Sequence, residues 1–326
     1  MGAFVTGVSL SPNTKPSLFH LLEGERLCDS RILNLKDLDN IKEVVKSCQP
    51  EIVIHLAAQA LVRTSYLQPV DTFTTNILGT VNLFEALRTE YSPKVVIAVT
   101  TDKVYQNREW IFPYRENDRL GGHDPYSASK AACEIAIQCY IKSFLTSRGT
   151  AVGIARAGNV IGGGDWSLDR LIPDAVRAWS NNATLEIRRP QSIRPWQHVL
   201  EPINAYLVLA EKLWHAPELA QAYNFGPPPD QTASVREVVE FAREVFGRGK
   251  TIYSDSQNGP HEAEILVLDN SKARSLLGIE PRWSLKMALT RTMKWYQDFD
   301  RGADPSHLCH ADLSAYKAIN ESISSN

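Results

Sequence analysis

Apolar and polar positions divide the chain into short buried runs and longer amphipathic ones. Residues 4–10 (FVTGVSL) and 51–57 (EIVIHLA) have the length and β-branched content of strands. Residues 94–100 (KVVIAVT) are almost continuously β-branched, the pattern of a strand buried on both faces of a parallel sheet. Residues 151–157 predict a further strand. Between these runs, residues 38–47 set Leu38, Ile41, Val44 and Val45 on one helical face, and residues 75–90 and 126–145 predict two longer helices. Pro12 and Pro16 keep the segment after the first strand as loop. Such alternation predicts βαβ units, hence an α/β fold with a Rossmann-like parallel sheet covered on both faces. Ligands then gather beyond the carboxyl ends of the strands.

Past Asn159 the texture changes to glycines, prolines, arginines and tryptophans without regular alternation. This predicts a smaller C-terminal region, with amphipathic helices over 234–246 and 285–299 and a polar tail, 322–326, expected to fray. The division expected is a dinucleotide-binding unit over 1–157, to which 198–226 returns, and a substrate-binding region formed by 158–197 and 227–326.

Composition narrows the class. A length of 326 residues suggests about two domains, and 43 % apolar with 22 % charged residues excludes disorder and coiled coil. The longest apolar stretch, 52–62, contains His55 and Gln59 and is too short to span a bilayer, so no membrane partner is expected. Net charge is −2 with no long basic run, which argues against nucleic acid. Five cysteines without a CxxC pair fit a reducing cytoplasm and argue against structural zinc; no metal site is expected. The opening lacks the basic region of a secretory signal. It fits a loose myristoylation pattern through Gly2 and Thr6, although VTGV reads equally as strand.

Two clusters carry candidate chemistry. In Tyr126-Ser-Ala-Ser-Lys130 the phenol and the ammonium stand four residues apart, side by side on a helix. A cation there is expected to lower the phenol pKa and make Tyr126 a usable base; an exposed helical pair is the plain alternative. Thr100-Thr101-Asp102-Lys103 falls at the carboxyl end of the strand over 94–100, where a hydroxyl, an acid and an amine can meet a ligand, or simply form a polar turn. His261-Glu262-Ala263 is not HExxH, so zinc does not enter.

Together these clusters resemble the extended short-chain dehydrogenase/reductase family. The likeness continues in HLAAQ (55–59), NILGT (76–80), AGNVIG (157–162) and YNFG (223–226). Within the family, NREW (107–110), YREND (114–118), GGGDW (162–166), RLIPD (170–174), RPWQHVLEP (194–202) and TDK (101–103) are similar to the wording of CDP-glucose 4,6-dehydratases. The resemblance spans nearly the whole chain.

It implies bound NAD, CDP-glucose as substrate, and a homodimer through the helices over 75–90 and 126–145. The implied reaction oxidises C4 transiently, loses water across C5 and C6, and returns the hydride to C6. The implied catalytic residues are Thr101, Asp102 as acid, Lys103, Tyr126 and Lys130. Lys103 stands at the base position, but could instead orient water or pair with Asp102. Cofactor contacts are implied for Asn34, Leu56, Ala57, Ala58, Gln59, Asn76 and Thr100, besides Tyr126 and Lys130. Substrate contacts are implied for Asn159, Arg170, Arg188, Arg194, His198 and His261, the arginines suiting a diphosphate. The glycines of 162–164 are read either as a flexible loop or as a close approach to ligand.

One departure stands out. The family opens with a strand, a glycine-rich turn and a helix, whereas this chain opens on a segment matching the family's second strand. About 30 residues, one β–α unit, are therefore expected to be wanting, with a central strand among them. Two rival readings are a nucleotide-sugar 4-epimerase, which does not need the Asp102–Lys103 pair, and a silent sugar-nucleotide-binding protein.

Overall fold

Residues 2–254 and 263–324 are described by a computed structural model, with backbone alone from 320 onward. β1 (Thr6–Ser9) and β2 (Asp29–Ile32) pair in parallel. α1 (Leu38–Cys48) starts where the Asp37 carboxylate accepts from the Asn40 N–H, and it buries Ile41, Val44 and Val45 as its spacing requires. β3 (Ile52–His55), α2 (Gly79–Thr89), β4 (Val95–Val99), α3 (Pro125–Tyr140) and β5 (Ala151–Ala157) follow. Then come α4 (Leu171–Ser180), β6 (Thr184–Ile187), α5 (Leu200–His215), β7 (Ala222–Phe225), α6 (Val235–Phe246), β8 (Lys250–Tyr253), α7 (Leu285–Asp300) and α8 (Pro305–Ser324).

The main sheet runs β7–β5–β4–β3, all parallel. Val95, Val96, Ile97 and Ala98 are fully buried, because α1, α2 and α3 pack on one face and α5 on the other. Among the described residues no ladder joins β1 to β3, so β1 and β2 form a separate pair.

Several expectations shift. The helix expected over 75–90 begins earlier, at Pro69–Phe73, and passes through a π turn, Thr74–Leu78, before α2. A second π turn, Ile141–Leu145, follows α3. The loop carrying Pro12 and Pro16 ends in a short helix, Leu18–Leu21, capped by Ser17. The region past Asn159 is more regular than its texture suggests: α4, α5 and α8 went unread, and α8 runs through 322–324. Its core joins Ile172, Trp179, Val238, Phe246, Leu289 and Met293. α6 starts with a capping box, Ser234 with Glu237. No described helix is long and apolar enough to cross a membrane.

Candidate active site

The carboxyl ends of β4 and β5 open into a cleft of about 560 Å³ between the sheet and the α4–β6 region. Its wall is built by strand ends. β4 leaves the sheet at Val99 and delivers Thr100, Thr101, Asp102 and Lys103; β5 leaves at Ala157 and delivers Gly158 and Asn159. α3 begins at Asp124, whose carboxylate accepts from the Ser127 N–H at 2.9 Å, with Pro125 at its first position. That start points Tyr126 into the cleft.

Tyr126 and Asp102 are 8 % and 2 % exposed. Thr101 Oγ1 donates to Asp102 Oδ1 at 2.9 Å and accepts from the Lys103 N–H, while Asp102 Oδ2 has no partner. Burial raises the Asp102 pKa, opposed by the charges of Lys103 and Arg194 and by hydrogen bonds from Thr101 and the Lys103 N–H. A carboxyl whose pKa burial raises is the kind of group that can serve as an acid. The phenol departs from expectation. Burial pushes Tyr126 up to about 12, although Thr101 and the Arg170 charge draw it down. The Lys130 ammonium donates to the Val99 carbonyl at 2.8 Å. Lys130 lies buried behind the cleft wall, its own pKa lowered by that burial.

Asn159, Arg170, Arg188 and Arg194 line the cleft with Thr100 to Lys103 and Tyr126. Arg170 Nη2 donates to the Ala60 carbonyl at 3.0 Å, and Arg194 spends donors on the carbonyls of Ile193, Ala263 and Glu264. His198 is a correction. It is buried away from the cleft, its ring 4.6 Å from Trp283 and its Nδ1 accepting from the Leu200 N–H. Burial and the Arg291 charge hold it neutral, at about 3. The strand Gln197–His198 turns its imidazole toward α7 and α8, 4.0 Å from Asp312. His261 lies outside the described residues.

Of the implied cofactor residues, Thr100 and Tyr126 line the cleft, Leu56 to Gln59 follow β3 and Asn34 follows β2, and their polar groups are largely committed to protein. Asn76 is buried; its Oδ1 accepts from the Gln59 N–H and its Nδ2 donates to Gln59 O and Ser129 Oγ. The Gln59 amide bonds to Leu61 and Thr72, so this pair braces the loop. Asn34 is exposed and its Oδ1 accepts from the Lys36 N–H. Leu56 and Ala57 are exposed and Ala58 half-buried, leaving main chain to meet a ligand. His55, under them, is held neutral at about 3 by burial and the Lys130 charge, and shares a 2.9 Å hydrogen bond with Thr80.

Gly162 lines the cleft, while Gly163 and Gly164 serve packing. A Cβ on Gly163 would stand 2.1 Å from the Trp295 ring, and Gly164 has φ +82° with Leu18 against it. Two features escaped sequence reading. Arg63 and Asp169 form a 2.6 Å ion pair across 106 residues at the cleft, with Asp169 at φ 59°. Glu134 lies two helical turns beyond Tyr126, and its buried carboxylate pairs with Arg156. The spacing Tyr126–Lys130–Glu134, four and four, was the available signal for it.

Comparison with known proteins narrows the chemistry. The family model described as GDP-mannose 4,6 dehydratase matches residues 25–292. A CDP-glucose 4,6-dehydratase of Salmonella typhimurium is 42 % identical over 322 residues, covering 97 % of this chain and 90 % of that protein. Among solved structures, a UDP-glucose 4-epimerase of Thermotoga maritima superposes with TM-score 0.79 at 22 % identity, covering 91 % of this chain and 92 % of that one. A UDP-glucose 4-epimerase of Thermus thermophilus in complex with NAD gives TM-score 0.72 at 21 % identity, covering 90 % and 98 %. Both structures share the fold.

Proposed function

The chain belongs to the GDP-mannose 4,6-dehydratase family, within the extended short-chain dehydrogenases/reductases, and on that premise we propose that it is an NAD-dependent CDP-glucose 4,6-dehydratase. The carrying observation is the 42 % identity, over almost the entire chain, to a protein of that activity. The buried acid Asp102 beside Lys103 and Tyr126 suits an elimination, which a 4-epimerase does not need.

The residues present fit the cofactor at its nicotinamide-ribose end. Among the described residues the buried Lys130 ammonium has a single acceptor, Val99 O, so donors remain for a sugar diol beside Tyr126. The main chain of 56–58 and the end of β3 offer further contacts. NAD supplies the two-electron acceptor at C4 and the donor at C6.

The protein's own residues handle protons and position. Tyr126 takes the C4 hydroxyl proton, with Thr101 bonding the phenolate and Arg170 favouring its charge. Oxidation at C4 acidifies the C5 hydrogen; Lys103 removes it and gives it back to C5 once the hydride has reached C6. Asp102, whose pKa burial raises, gives its proton to the departing C6 hydroxyl, which leaves as water. Arg188 and Arg194 take the diphosphate and Asn159 the sugar; Arg170 does so once it releases Ala60 O. In this reading residues 1–157 and 198–226 hold the cofactor, while 158–197 and 227–326 hold the nucleotide sugar.

A homodimer is part of the proposal. Leu67, Val70, Leu78 and Ile135 are exposed on the helices from Val62 to Thr89 and on α3, an apolar surface suited to a second copy. Sedimentation of the purified protein tests it, and a monomer at micromolar concentration would reject it. A cytoplasmic location accords with five cysteines, none in a disulfide.

For the activity, the protein is incubated with NAD and CDP-, UDP-, GDP- or dTDP-glucose, and the 4-keto product is read by its absorbance in alkali and by loss of one water in the mass spectrum. Product from CDP-glucose in preference to the others is expected. No product from any of the four, with the fold intact, overturns the reading.

A further inference from the structure

The segment 101–104, which carries Asp102 and Lys103, is anchored at both ends to one buried ion pair. Arg156 on β5 grips Glu134 on α3 through Nε, at 2.9 and 3.2 Å, and Nη2, at 2.5 Å; the side chains are 4 % and 1 % exposed. At the near end, Thr100 Oγ1 donates to Glu134 Oε1 at 2.6 Å. At the far end, Arg156 Nη1 donates to the Tyr105 hydroxyl at 2.8 Å and lies 4.9 Å from its ring, and that hydroxyl donates to Asn224 Oδ1 at 2.5 Å. The same helix holds the preceding carbonyl, Val99 O, through Lys130, and turns Tyr126 into the cleft.

We propose that the Glu134–Arg156 pair is a positioning device, which sets the Asp102–Lys103 segment against Tyr126 by tethering residue 100 to the carboxylate and residue 105 to the guanidinium. The proposal rests on the reaction assigned above. A buried ion pair contributes little net stability compared with apolar packing of the same volume, so stability alone does not account for its presence. Geometry does. Elimination needs Asp102 at C6 and Lys103 at C5 of a sugar whose C4 lies at Tyr126, and misplacement by about 1 Å costs roughly 100-fold in rate. A strand end leading into a short 3-10 turn would drift by that much unless both flanks were fixed. Here one flank is fixed to α3, which carries Tyr126, and the other to β5 through a charge bound to α3.

Glu134→Gln leaves Arg156 buried without its counter-charge, so milder variants carry the test. Tyr105→Phe and Thr100→Val each unhook one end and keep the ion pair. Tyr223→Phe, which removes a hydroxyl bonded to Leu219 O on the far strand, is the control. The readouts are kcat and KM for CDP-glucose with NAD, and amide hydrogen exchange over 101–105 without ligand. Expected for Tyr105→Phe and Thr100→Val is a fall in kcat of about tenfold or more, KM within twofold, and faster exchange over 101–105 with β5 unchanged. Tyr223→Phe should alter none of these. Unchanged kcat, unchanged exchange, or a loss confined to KM overturns the proposal. If wild-type protein does not turn over CDP-glucose, the assigned reaction fails, and exchange alone decides whether the tether holds the segment.

Discussion

Replacing Asp102 by asparagine should stabilise the protein while abolishing turnover. Asp102 is 2 % exposed, Oδ1 accepts from Thr101, and Oδ2 has no partner. The groups facing it are Thr101, Lys103, Arg194 and Tyr126, and despite the two cations burial wins and raises its pKa above the ordinary 3.8. The sign follows from proton binding. The folded carboxyl keeps its proton to higher pH than the unfolded one, so stability falls as pH rises from 3.8 through the folded pKa. The penalty is complete above that point. The Asp102→Asn amide keeps the shape and the partnerless atom but never ionises. Removing the penalty that burial puts on this ionisation is worth of order 1–3 kcal/mol, or roughly 1.5–4.5 °C in Tm for a chain of this size. Melting curves of both proteins from pH 8 down to pH 4 provide the assay. The variant should melt higher at pH 8, and its advantage should shrink toward pH 4. A variant that melts no higher at pH 8, or keeps its full advantage at pH 4, would refute the claim that burial acts on the Asp102 charge.

The other predictions are simpler. Tyr126→Phe should lower turnover by about 100- to 10,000-fold with the circular dichroism spectrum unchanged; ordinary turnover removes the tyrosine from the proton path. Lys103→Met should cost about 100-fold or more, and full activity would leave Lys103 at most a partner of Asp102. Gly163→Ala sets a Cβ 2.1 Å from the Trp295 ring and should destabilise by about 1–3 kcal/mol through overpacking; an unchanged Tm would mean that the loop shifts at no cost.

Much of the architecture was legible because it is local. Continuous β-branched runs became β4 and β5, and the 3.6-residue stripe of Ile41, Val44 and Val45 became the buried face of α1. The Ser234 capping box starts α6 where its pattern begins. The two clusters of candidate chemistry were legible for the same reason, since Thr101 to Lys103 follow a strand and Tyr126 opens a helix. Less was readable past Asn159, where α4, α5 and α8 take their apolar faces from partners far along the chain, as Trp179 does from Phe246 and Tyr316 from Trp283.

Periodicity and motif spacing established which residues form strands and helices, and which chemical groups leave the sheet together. Those properties depend on neighbours within about two helical turns. The fate of each group was settled by contacts between distant segments. His198 turned from the cleft because Trp283 and α8 cover it, and Tyr126 is pushed up to about 12 because the fold buries it. Glu134 and Arg156 are 22 residues apart, and only the packing of α3 on β5 makes them a pair. Burial and long-range charge depend on distance in space, which a linear pattern does not encode.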